Sequence, residues 1–474
     1  MNLLECKSLS VCDEKQNYLL KNINFKLKKD EYLAIIGSSG AGKSTLIKAL
    51  MNLNSSNLTS KGELFWHEKA NFGVILQNPA SCFDHVFSIK FHFKETFLAK
   101  NLKPDEQEYK RLLAEVGLDE KVLNAYPFEL SGGMLQRVMI ALALCAPLNL
   151  LIADEASSDL DSSGEKELFE LIFRLKAKFH FAFLLVTHSL KLTQNADTII
   201  ILDQGQIIDQ GNAKYIFTQS ECKKTKAFLE AFHLLEQNSF KPKLKPKTKA
   251  LLLAKNINLS YKQGGFFSRQ KPKIVLNKLD LKLYEGVNLA IVGKNGSGKS
   301  SLVRVLLGLE KAKNASLNLN GFDFCTQKLE YKKSLGIIFQ NPPATLNPNF
   351  SAKEAILEPL WNLNIDKQSQ EQELKKLAKA LNLSELDKKV PYFSGGELQR
   401  IALARALITK PSLLILDEAL SNLDVLLQVQ IIKLLKALQA EFKLTLLCIS
   451  HDQNILNALC DELLELKDGV LNEL

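Results

Sequence analysis

Short, unbroken apolar segments recur along the chain, and each one ends at a polar residue or a glycine. The pattern is typical of parallel strands that are covered on both faces. Helical periodicity lies between these segments, for example at Leu374, Leu377 and Leu381, which share one face of a helix. The pattern therefore predicts an α/β fold whose functional residues gather at the carboxyl ends of the strands. The predicted strands are 33–36, 150–153, 183–186, 289–292, 413–416 and 446–449.

The two halves of the chain repeat each other. The segment GSSGAGKST at 37–45 returns as GKNGSGKSS at 293–301. Between the copies, 238–249 combines proline with repeated lysine and lacks apolar periodicity, which indicates an extended, solvated linker. We therefore predict one domain at 1–237, a basic linker at 238–250 and a second domain at 251–474. Four later pairs recur 263 positions apart: Gln77 with Gln340, Ser131 with Ser394, Asp154 with Asp417, and His188 with His451.

Composition excludes several classes of protein. An apolar fraction of 46% with 24% charged residues is typical of a soluble globular chain, and no apolar stretch reaches the ~18–20 residues that cross a bilayer. No secretory signal begins the chain, and the eight cysteines form no C-x-x-C pair, so we expect a reduced, cytoplasmic protein. The net charge of +9 comes from dispersed lysines except at 241–249, which favours a solvated linker over a surface that binds nucleic acid or lipid.

A G-x-x-x-x-G-K-[ST] pattern follows a predicted strand and begins a predicted helix in each half, as a phosphate-binding loop requires. Its glycines let backbone N–H groups approach phosphates, and its lysine reaches the outer phosphates. One such loop can arise by chance, whereas two copies at matching positions exclude coincidence. We expect ATP to contact Gly37, Ser38, Gly40, Gly42, Lys43, Ser44 and Thr45 in the first half, and Gly293, Asn295, Gly296, Gly298, Lys299, Ser300 and Ser301 in the second.

Two adjacent carboxylates end a predicted strand in each half, at Asp154 with Glu155 and at Asp417 with Glu418. In this setting the aspartate can support the water shell of Mg²⁺, and the glutamate can orient or deprotonate the attacking water. A strand end that is merely polar would not require this pair in both copies. The sequence therefore predicts Glu155 and Glu418 as catalytic residues.

Two further motifs complete each half. His188 and His451 follow the next predicted strand, and we expect them to contact the terminal phosphate. A serine and two glycines before a predicted helix offer another group of N–H donors to an anion. These anion-binding residues are Ser131, Gly132 and Gly133 in the first half, and Ser394, Gly395 and Gly396 in the second.

With these motifs the chain resembles the ATP-binding cassette (ABC) family over nearly its whole length. The segment after 130 resembles the family's signature motif, which implies that each ATP lies between the phosphate loop of one domain and the signature of the other, within one chain. The resemblance also implies that Gln77 and Gln340 contact Mg²⁺ and lead toward a permease, and that Asp161 and Asp424 belong to a crossing loop. The implied Mg²⁺ ligands are Ser44, Gln77, Asp154, Ser300, Gln340 and Asp417.

The family usually stacks adenine on an aromatic side chain after its first strand. Tyr261 fits this position in the second half, whereas Cys12 stands there in the first half and Tyr18 is the alternative. We still expect two competent hydrolysis sites, because the glutamate and the histidine are present in both halves.

Within the family, 126–140 and 77–81 resemble the first ATPase of the peptide and nickel importer branch. The segments 340–348 and 416–424 resemble its second ATPase, and 416–424 is especially similar to that of the nickel importer. The chain ends at Leu474 without the cysteine-rich extension of peptide-importing relatives, which favours nickel or a metal chelate over a peptide. Substrate choice belongs to the permeases, so both classes stay open.

The resemblance implies two integral-membrane permease subunits and an extracytoplasmic solute-binding protein as partners, with the chain at the cytoplasmic face of the inner membrane. The alternatives are a soluble twin-cassette factor that acts on ribosomes or nucleic acid, and an exporter ATPase. The first typically carries a long charged helical linker, and the importer-like motifs disfavour the second. Cys82, Asp84, His85 and His92 match no tight set of metal ligands, and we interpret them as part of a permease-facing surface.

Overall fold

The computed structural model describes residues 1–38, 40–76, 78–157, 162–236, 245–246, 249–261, 272–294, 296–361, 363, 366–420, 423–450 and 452–473. Four of the residues singled out above, Gln77, Asn295, Asp161 and His451, lie outside these ranges, as do most of the predicted linker and of the polar stretch that follows Tyr261. The chain divides into two compact units, of which the first contains Met1–Phe232 and the second contains His233–Leu423 and Leu427–Leu474. The domain bounds at 237 and 251 stay predictions.

The first unit combines two sheets with helices. Its strands are β1 (Asn2–Asp13), β2 (Tyr18–Lys28), β3 (Tyr32–Gly37), β4 (Leu58–Trp66), β5 (Phe72–Ile75), β6 (Leu150–Asp154), β7 (Ala182–Thr187), β8 (Thr198–Asp203) and β9 (Gln206–Gly211). Its helices are α1 (Lys43–Leu50), α2 (Ile89–Ala99), α3 (Glu106–Glu115), α4 (Gly132–Ala143), α5 (Ser162–Phe179), α6 (Leu190–Thr193), α7 (Ala213–Thr218) and α8 (Lys223–Glu236). Helix α8 continues into the first residues of the second unit.

The second unit has a similar but not identical order of elements. Its strands are β10 (Ala250–Tyr261), β11 (Lys273–Tyr284), β12 (Leu289–Val292), β13 (Ser316–Leu319), β14 (Phe322–Asp323), β15 (Leu335–Ile338), β16 (Leu413–Asp417), β17 (Thr445–Ile449), β18 (Glu462–Lys467) and β19 (Val470–Glu473). Its helices are α9 (Lys299–Leu306), α10 (Lys328–Lys333), α11 (Pro342–Thr345), α12 (Ala352–Leu357), α13 (Lys367–Ala380), α14 (Gly395–Leu407), α15 (Val425–Phe442) and α16 (Gln453–Leu459).

A six-stranded sheet forms the centre of each unit, in the orders β5-β6-β7-β3-β8-β9 and β15-β16-β17-β12-β18-β19. All neighbours in both sheets are parallel except the last pair, β8 with β9 and β18 with β19. Each predicted apolar segment lies on one of these strands, and β3 and β7 are buried along their full length. The prediction of an α/β fold with a mainly parallel core is confirmed.

Helices inserted between two neighbouring strands place the signature residues. In the first unit, α2, α3 and α4 lie in the chain between β5 and β6, and in the second unit α11–α14 lie between β15 and β16. The predicted face of Leu374, Leu377 and Leu381 is buried, at 3%, 0% and 1% exposure, because α13 packs that side against its neighbours. Each unit therefore carries a helical subdomain next to its central sheet. None of the described helices is both long and apolar enough to span a membrane.

A lysine of the predicted linker binds the second unit. Lys245 Nζ lies 2.8 Å from Asp461 Oδ2 and 3.0 Å from Gly286 O. The Asp461 side chain is 3% exposed and also accepts the backbone N–H of Asn288 at 2.9 Å. A buried carboxylate requires such partners, so the contact anchors Lys245 to the second unit.

Candidate nucleotide site

Each phosphate loop joins the central parallel strand of its unit to a helix. In the first unit β3 ends at Gly37 and α1 begins at Lys43; in the second, β12 ends just before Gly293 and α9 begins at Lys299. Parallel strands present their carboxyl ends at one edge of the sheet, so the loop lies beside the ends of the neighbouring strands.

The two loop lysines are buried, at 7% and 6% exposure, although each carries a charge. Lys43 Nζ donates to Gly37 O at 2.8 Å and to Ser38 O at 3.1 Å. Lys299 Nζ donates to Gly293 O at 2.6 Å and to Lys294 O at 3.2 Å. Backbone carbonyls thus hold both ammonium groups at the mouth of the loop, where a phosphate would be bound.

A glycine precedes each of these lysines for a steric reason. Gly42 and Gly298 have φ values of 101° and 106°, in the left-handed region that favours glycine. A Cβ at Gly42 would lie 2.9 Å from Leu19 O, and one at Gly298 would lie 2.8 Å from Val275 Cγ1. The close approach of the second strand of each unit therefore requires glycine here.

The carboxylate pair of the first unit lies next to its loop. Glu155 Oε1 is 3.6 Å from Lys43 Nζ. Burial, and then repulsion from Glu155, raises the pKa of Asp154, while a hydrogen bond from Ser44 and the charge of Lys43 oppose the shift. The structure therefore brings the loop lysine, the loop serine and both predicted carboxylates together.

The second unit places Asp417 in the same surroundings. Burial, and then repulsion from Glu418, raises the pKa of Asp417 to about 6, and Lys299 and Arg304 act in the opposite direction. An aspartate of this kind costs stability when it is ionised, and it is retained where negative charge serves function.

We expect Asp417→Asn to raise the free energy of unfolding by about 1–3 kcal/mol at pH 7.5 in buffer without nucleotide or divalent metal, because the ionised carboxylate is penalised only in the fold. The folded protein binds the extra proton between the unfolded pKa of about 4 and the folded value of about 6, so the Asp417 contribution falls as pH rises through that window. Calorimetry of both proteins from pH 4 to pH 8 measures the difference. Asp468→Asn, at an exposed position, is the control. If the difference in unfolding free energy between wild type and Asp417→Asn does not change with pH, the raised pKa of Asp417 is contradicted.

The signature serines cap helices, as the sequence predicts. Ser131 Oγ accepts the backbone N–H of Met134 at 3.3 Å, and Ser394 Oγ accepts that of Glu397 at 3.4 Å. Both serines and the first glycine after each are exposed, so the remaining N–H groups at the start of α4 and α14 face solvent. His188 directly follows β7 and is half-buried at the edge where β6 ends.

Tyr261 lies against the phosphate-loop helix of its unit. Its hydroxyl is 3.2 Å from Ser301 Oγ and donates to Glu310 Oε2 at 2.7 Å. In the first unit the structure gives a different equivalent of Tyr261. Strands β1 and β10 have the same length and share the burial pattern of their first ten residues, and their left-handed residues, Ser8 and Asn256, hold the same position in the strand. Counting along the strands from these two residues pairs Tyr261 with Asp13 and pairs Cys12 with a serine.

Cys12 is buried, at 3% exposure, which fits a packing residue and corrects its assignment as the equivalent of Tyr261. The carboxylate of Asp13 instead closes a tight turn, in which it accepts the backbone N–H of Asn17 at 2.8 Å. Tyr18 begins the next strand, pairs with Cys12 and is 49% exposed. It remains available for a contact with a base in the first unit.

The residues at this edge fit a hard divalent cation. Carboxylate and hydroxyl oxygens from Asp154 and Ser44 are in hydrogen-bonding contact, and oxygen ligands of this type suit Mg²⁺. Gln340 follows β15 closely and is exposed, whereas its counterpart Gln77 lies outside the described residues. The equivalent oxygens in the second unit belong to Asp417 and Ser300.

Cys82, Asp84, His85 and His92 do not come together as a group of metal ligands in the structure. His92 Nε2 contacts Asp84 O at 3.1 Å, and Cys82 Sγ donates to Asn78 O at 3.4 Å. No group of three or more histidine, cysteine or acidic side chains that could hold a metal occurs among the described residues.

Comparison with known proteins identifies a family that shares the motifs of this site. The family model described as ABC transporter matches residues 20–158 and 276–421, which hold both phosphate loops, both signature segments and both carboxylate pairs. The chain belongs to the ABC transporter family, and it is an ATPase subunit of such a transporter.

Curated relatives extend the likeness over almost the full chain. The glutathione import ATP-binding protein GsiA of Escherichia coli (strain K12) is 30% identical over 96% of this chain and 83% of its own length. The protein of that name from Pectobacterium atrosepticum is 29% identical with the same coverage, and that from Escherichia coli O6:H1 is 31% identical over 92% of this chain and 80% of its own length. The chain is thus homologous to ATP-binding proteins of an importer.

Proposed function

We propose that this chain hydrolyses ATP at two Mg²⁺-dependent sites and thereby drives the uptake of a short peptide through separate membrane permeases. The observation that carries the proposal is the duplication, in one chain, of a buried loop lysine beside a strand-end carboxylate pair. Relatives that match both halves of this chain are named for glutathione import, and glutathione is itself a small peptide.

A metal chelate such as that of nickel is the second candidate. The observation in its favour is the likeness of 416–424 to the nickel importer's second ATPase. Substrate identity is determined by the partners, a permease pair and an extracytoplasmic binding protein, and the chain would bind the permeases at the cytoplasmic face of the inner membrane.

The side chains divide the reaction between them. Lys43 and Lys299 bind the outer phosphates, and the signature segments add N–H donors for the same anion. Bound Mg²⁺ would be held through Ser44 with Asp154 and through Ser300 with Asp417, where it would neutralise phosphate charge.

The remaining groups act on the attacking water. Glu155 and Glu418 orient it and accept its proton. His188, which follows the adjacent strand, contacts the terminal phosphate in the first unit, and His451 is proposed for the second.

An exposed aromatic surface on the helical subdomain supports a permease partner. We define this patch as the aromatic residues Phe87, Phe91, Tyr126 and Phe128 together with the neighbouring Val86. The rings of Phe87 and Phe91 stack with centroids 4.1 Å apart, and those of Tyr126 and Phe128 with centroids 5.6 Å apart. The backbone N–H of Ile89 donates to Ala125 O at 2.9 Å, which joins the two segments. Phe128 and Val86 are 68% and 73% exposed, and contiguous exposed apolar residues mark binding surfaces.

We expect Phe87→Ala with Phe128→Ala to lower solute uptake at least fivefold, because the apolar contact with the permease is lost. ATP turnover of the detergent-free chain should stay within twofold of wild type, because neither residue belongs to the nucleotide site. Uptake into whole cells and phosphate release by the purified chain measure the two effects. Phe65→Ala, another exposed aromatic position, is the control, and normal uptake by the double variant would contradict the docking role.

The function itself is tested in cells that lack this chain and its homologues. Restoring the chain should restore uptake of radiolabelled short peptides, with glutathione as the first probe. Restored uptake of a ⁶³Ni chelate alone would reject the peptide class in favour of the second candidate. In parallel, the tagged chain should co-purify from membranes with integral-membrane subunits, whereas co-purification with ribosomes would overturn the transport role.

A further inference from the structure

One glutamine in each unit ties the signature helix to the segment that carries the catalytic glutamate. Gln136, on α4, donates from Nε2 to Ala156 O at 2.6 Å. Gln399, on α14, donates from Nε2 to Ala419 O at 2.8 Å. The two glutamines are 1% and 2% exposed, so both hydrogen bonds are shielded from water. The hydrogen bond from the glutamine amide is therefore repeated in both units, and it restrains the position of the carbonyl that accepts it.

Each acceptor is the residue that directly follows the proposed catalytic glutamate. Glu155 and Glu418 both have a φ of 50°, in the left-handed region that a residue with a Cβ rarely adopts. The backbone N–H of Glu155 donates to Val186 O at 2.9 Å, and that of Glu418 donates to Ile449 O at 2.8 Å. The neighbouring strand thus holds the glutamate on one side, and the glutamine holds the next residue on the other.

Such a conformation persists only where the surroundings hold it. The cost of the contact is visible in the first unit, where Gln136 Oε1 is buried with no hydrogen-bond partner among the described residues. The amide gives up one hydrogen bond while it retains its contact with Ala156 O. The contact from Nε2 to the carbonyl is the part that both units share, so we take the donor as the group that the site requires.

We propose that Gln136 and Gln399 are positioning residues, which fix the catalytic glutamates relative to the start of the signature helix. Gln136 is five residues after Ser131 and Gln399 is five residues after Ser394, so a shift of either helix end moves the carbonyl next to the glutamate. Turnover then depends on where the signature helix lies, although the glutamine touches neither phosphate nor water. The inference rests on the proposed catalytic role of Glu155 and Glu418.

The test replaces both glutamines by a side chain of similar length without a donor, Gln136→Met with Gln399→Met. We expect kcat for ATP hydrolysis to fall about tenfold, because a misplaced base loses much of its effect, while the KM for ATP stays within twofold. The control is Gln439→Met. Gln439 lies on α15, and its Nε2 donates to Asn288 Oδ1 at 2.8 Å, so the variant also removes a hydrogen-bond donor. We expect the control to lower the melting temperature by a similar amount and to leave kcat unchanged.

The outcomes separate positioning from a purely structural role. An unchanged kcat overturns the inference, and so does a loss of kcat that is matched by an equal loss of ATP affinity. If the double variant does not fold, each single variant is measured in the same way, since each alters one unit. An active Glu155→Gln/Glu418→Gln protein would refute the proposed site itself. If that protein is inactive but Gln136→Met with Gln399→Met is fully active, only the positioning role is refuted.

Discussion

Replacing both proposed catalytic glutamates, by Glu155→Gln with Glu418→Gln, should lower ATP turnover at least ~100-fold, the range that general-base catalysis supplies. The glutamine keeps the size of the side chain but cannot accept a proton from water. Lys43 lies 3.6 Å from Glu155 and is also held by two backbone carbonyls, so the phosphate loop should keep its shape. ATP binding should therefore change less than threefold, and equilibrium binding and phosphate release measure the two quantities.

The matched control changes two exposed glutamates in equivalent helices, by Glu170→Gln with Glu441→Gln. Their side chains are 66% and 47% exposed, and both make surface ion pairs, which contribute little to stability. Turnover of the control should equal that of wild type. A catalytic double variant that keeps more than half of the wild-type turnover would contradict the assignment of Glu155 and Glu418.

Replacing the two loop lysines, by Lys43→Met with Lys299→Met, should lower turnover by a similar factor but for a different reason. The methionine retains the length of the side chain and removes the charge that we propose binds the outer phosphates. We therefore expect ATP affinity to fall at least about tenfold, in contrast to the glutamate variant, because a charge-assisted contact is lost. Filter binding of labelled ATP distinguishes the two variants.

Lys166→Met supplies the control for the lysine variant, because the Lys166 side chain is 77% exposed on α5 and forms its ion pair with Glu170 at the surface. The fold is checked by circular dichroism, since methionine leaves Gly37 O and Ser38 O without their ammonium donor. Wild-type affinity in the double lysine variant would exclude the two loops as phosphate sites.

The sequence was sufficient for the parts of the fold that depend on local pattern. Unbroken apolar segments predicted the parallel strands, and a glycine-rich loop after a strand predicted where α1 and α9 begin. The helix caps at Ser131 and Ser394 follow from the same local chemistry, because a serine before a helix accepts an N–H of its first turn.

Contacts between distant segments were not predictable in this way. The amide of Gln136 contacts a carbonyl 20 residues further along the chain, and a helical pattern does not specify which polar side chain will turn inward. The match of Tyr261 with Asp13 becomes clear in the structure, where the left-handed residues Ser8 and Asn256 hold the same position in β1 and β10. The bond from Lys245 to Asp461 spans 216 residues and links a linker of low complexity to a buried acid.

The left-handed backbone at Glu155 and Glu418 has a consequence for how this ATPase tolerates heat and mutation. Glycine adopts a φ of 50° without strain, so a substitution by glycine at either position relieves a cost of about 1 kcal/mol and also removes the proposed catalytic base. Selection for thermal robustness alone would therefore enrich inactive proteins at these two codons. Substitutions that stabilise the enzyme and keep it active therefore have to lie at other positions in the chain.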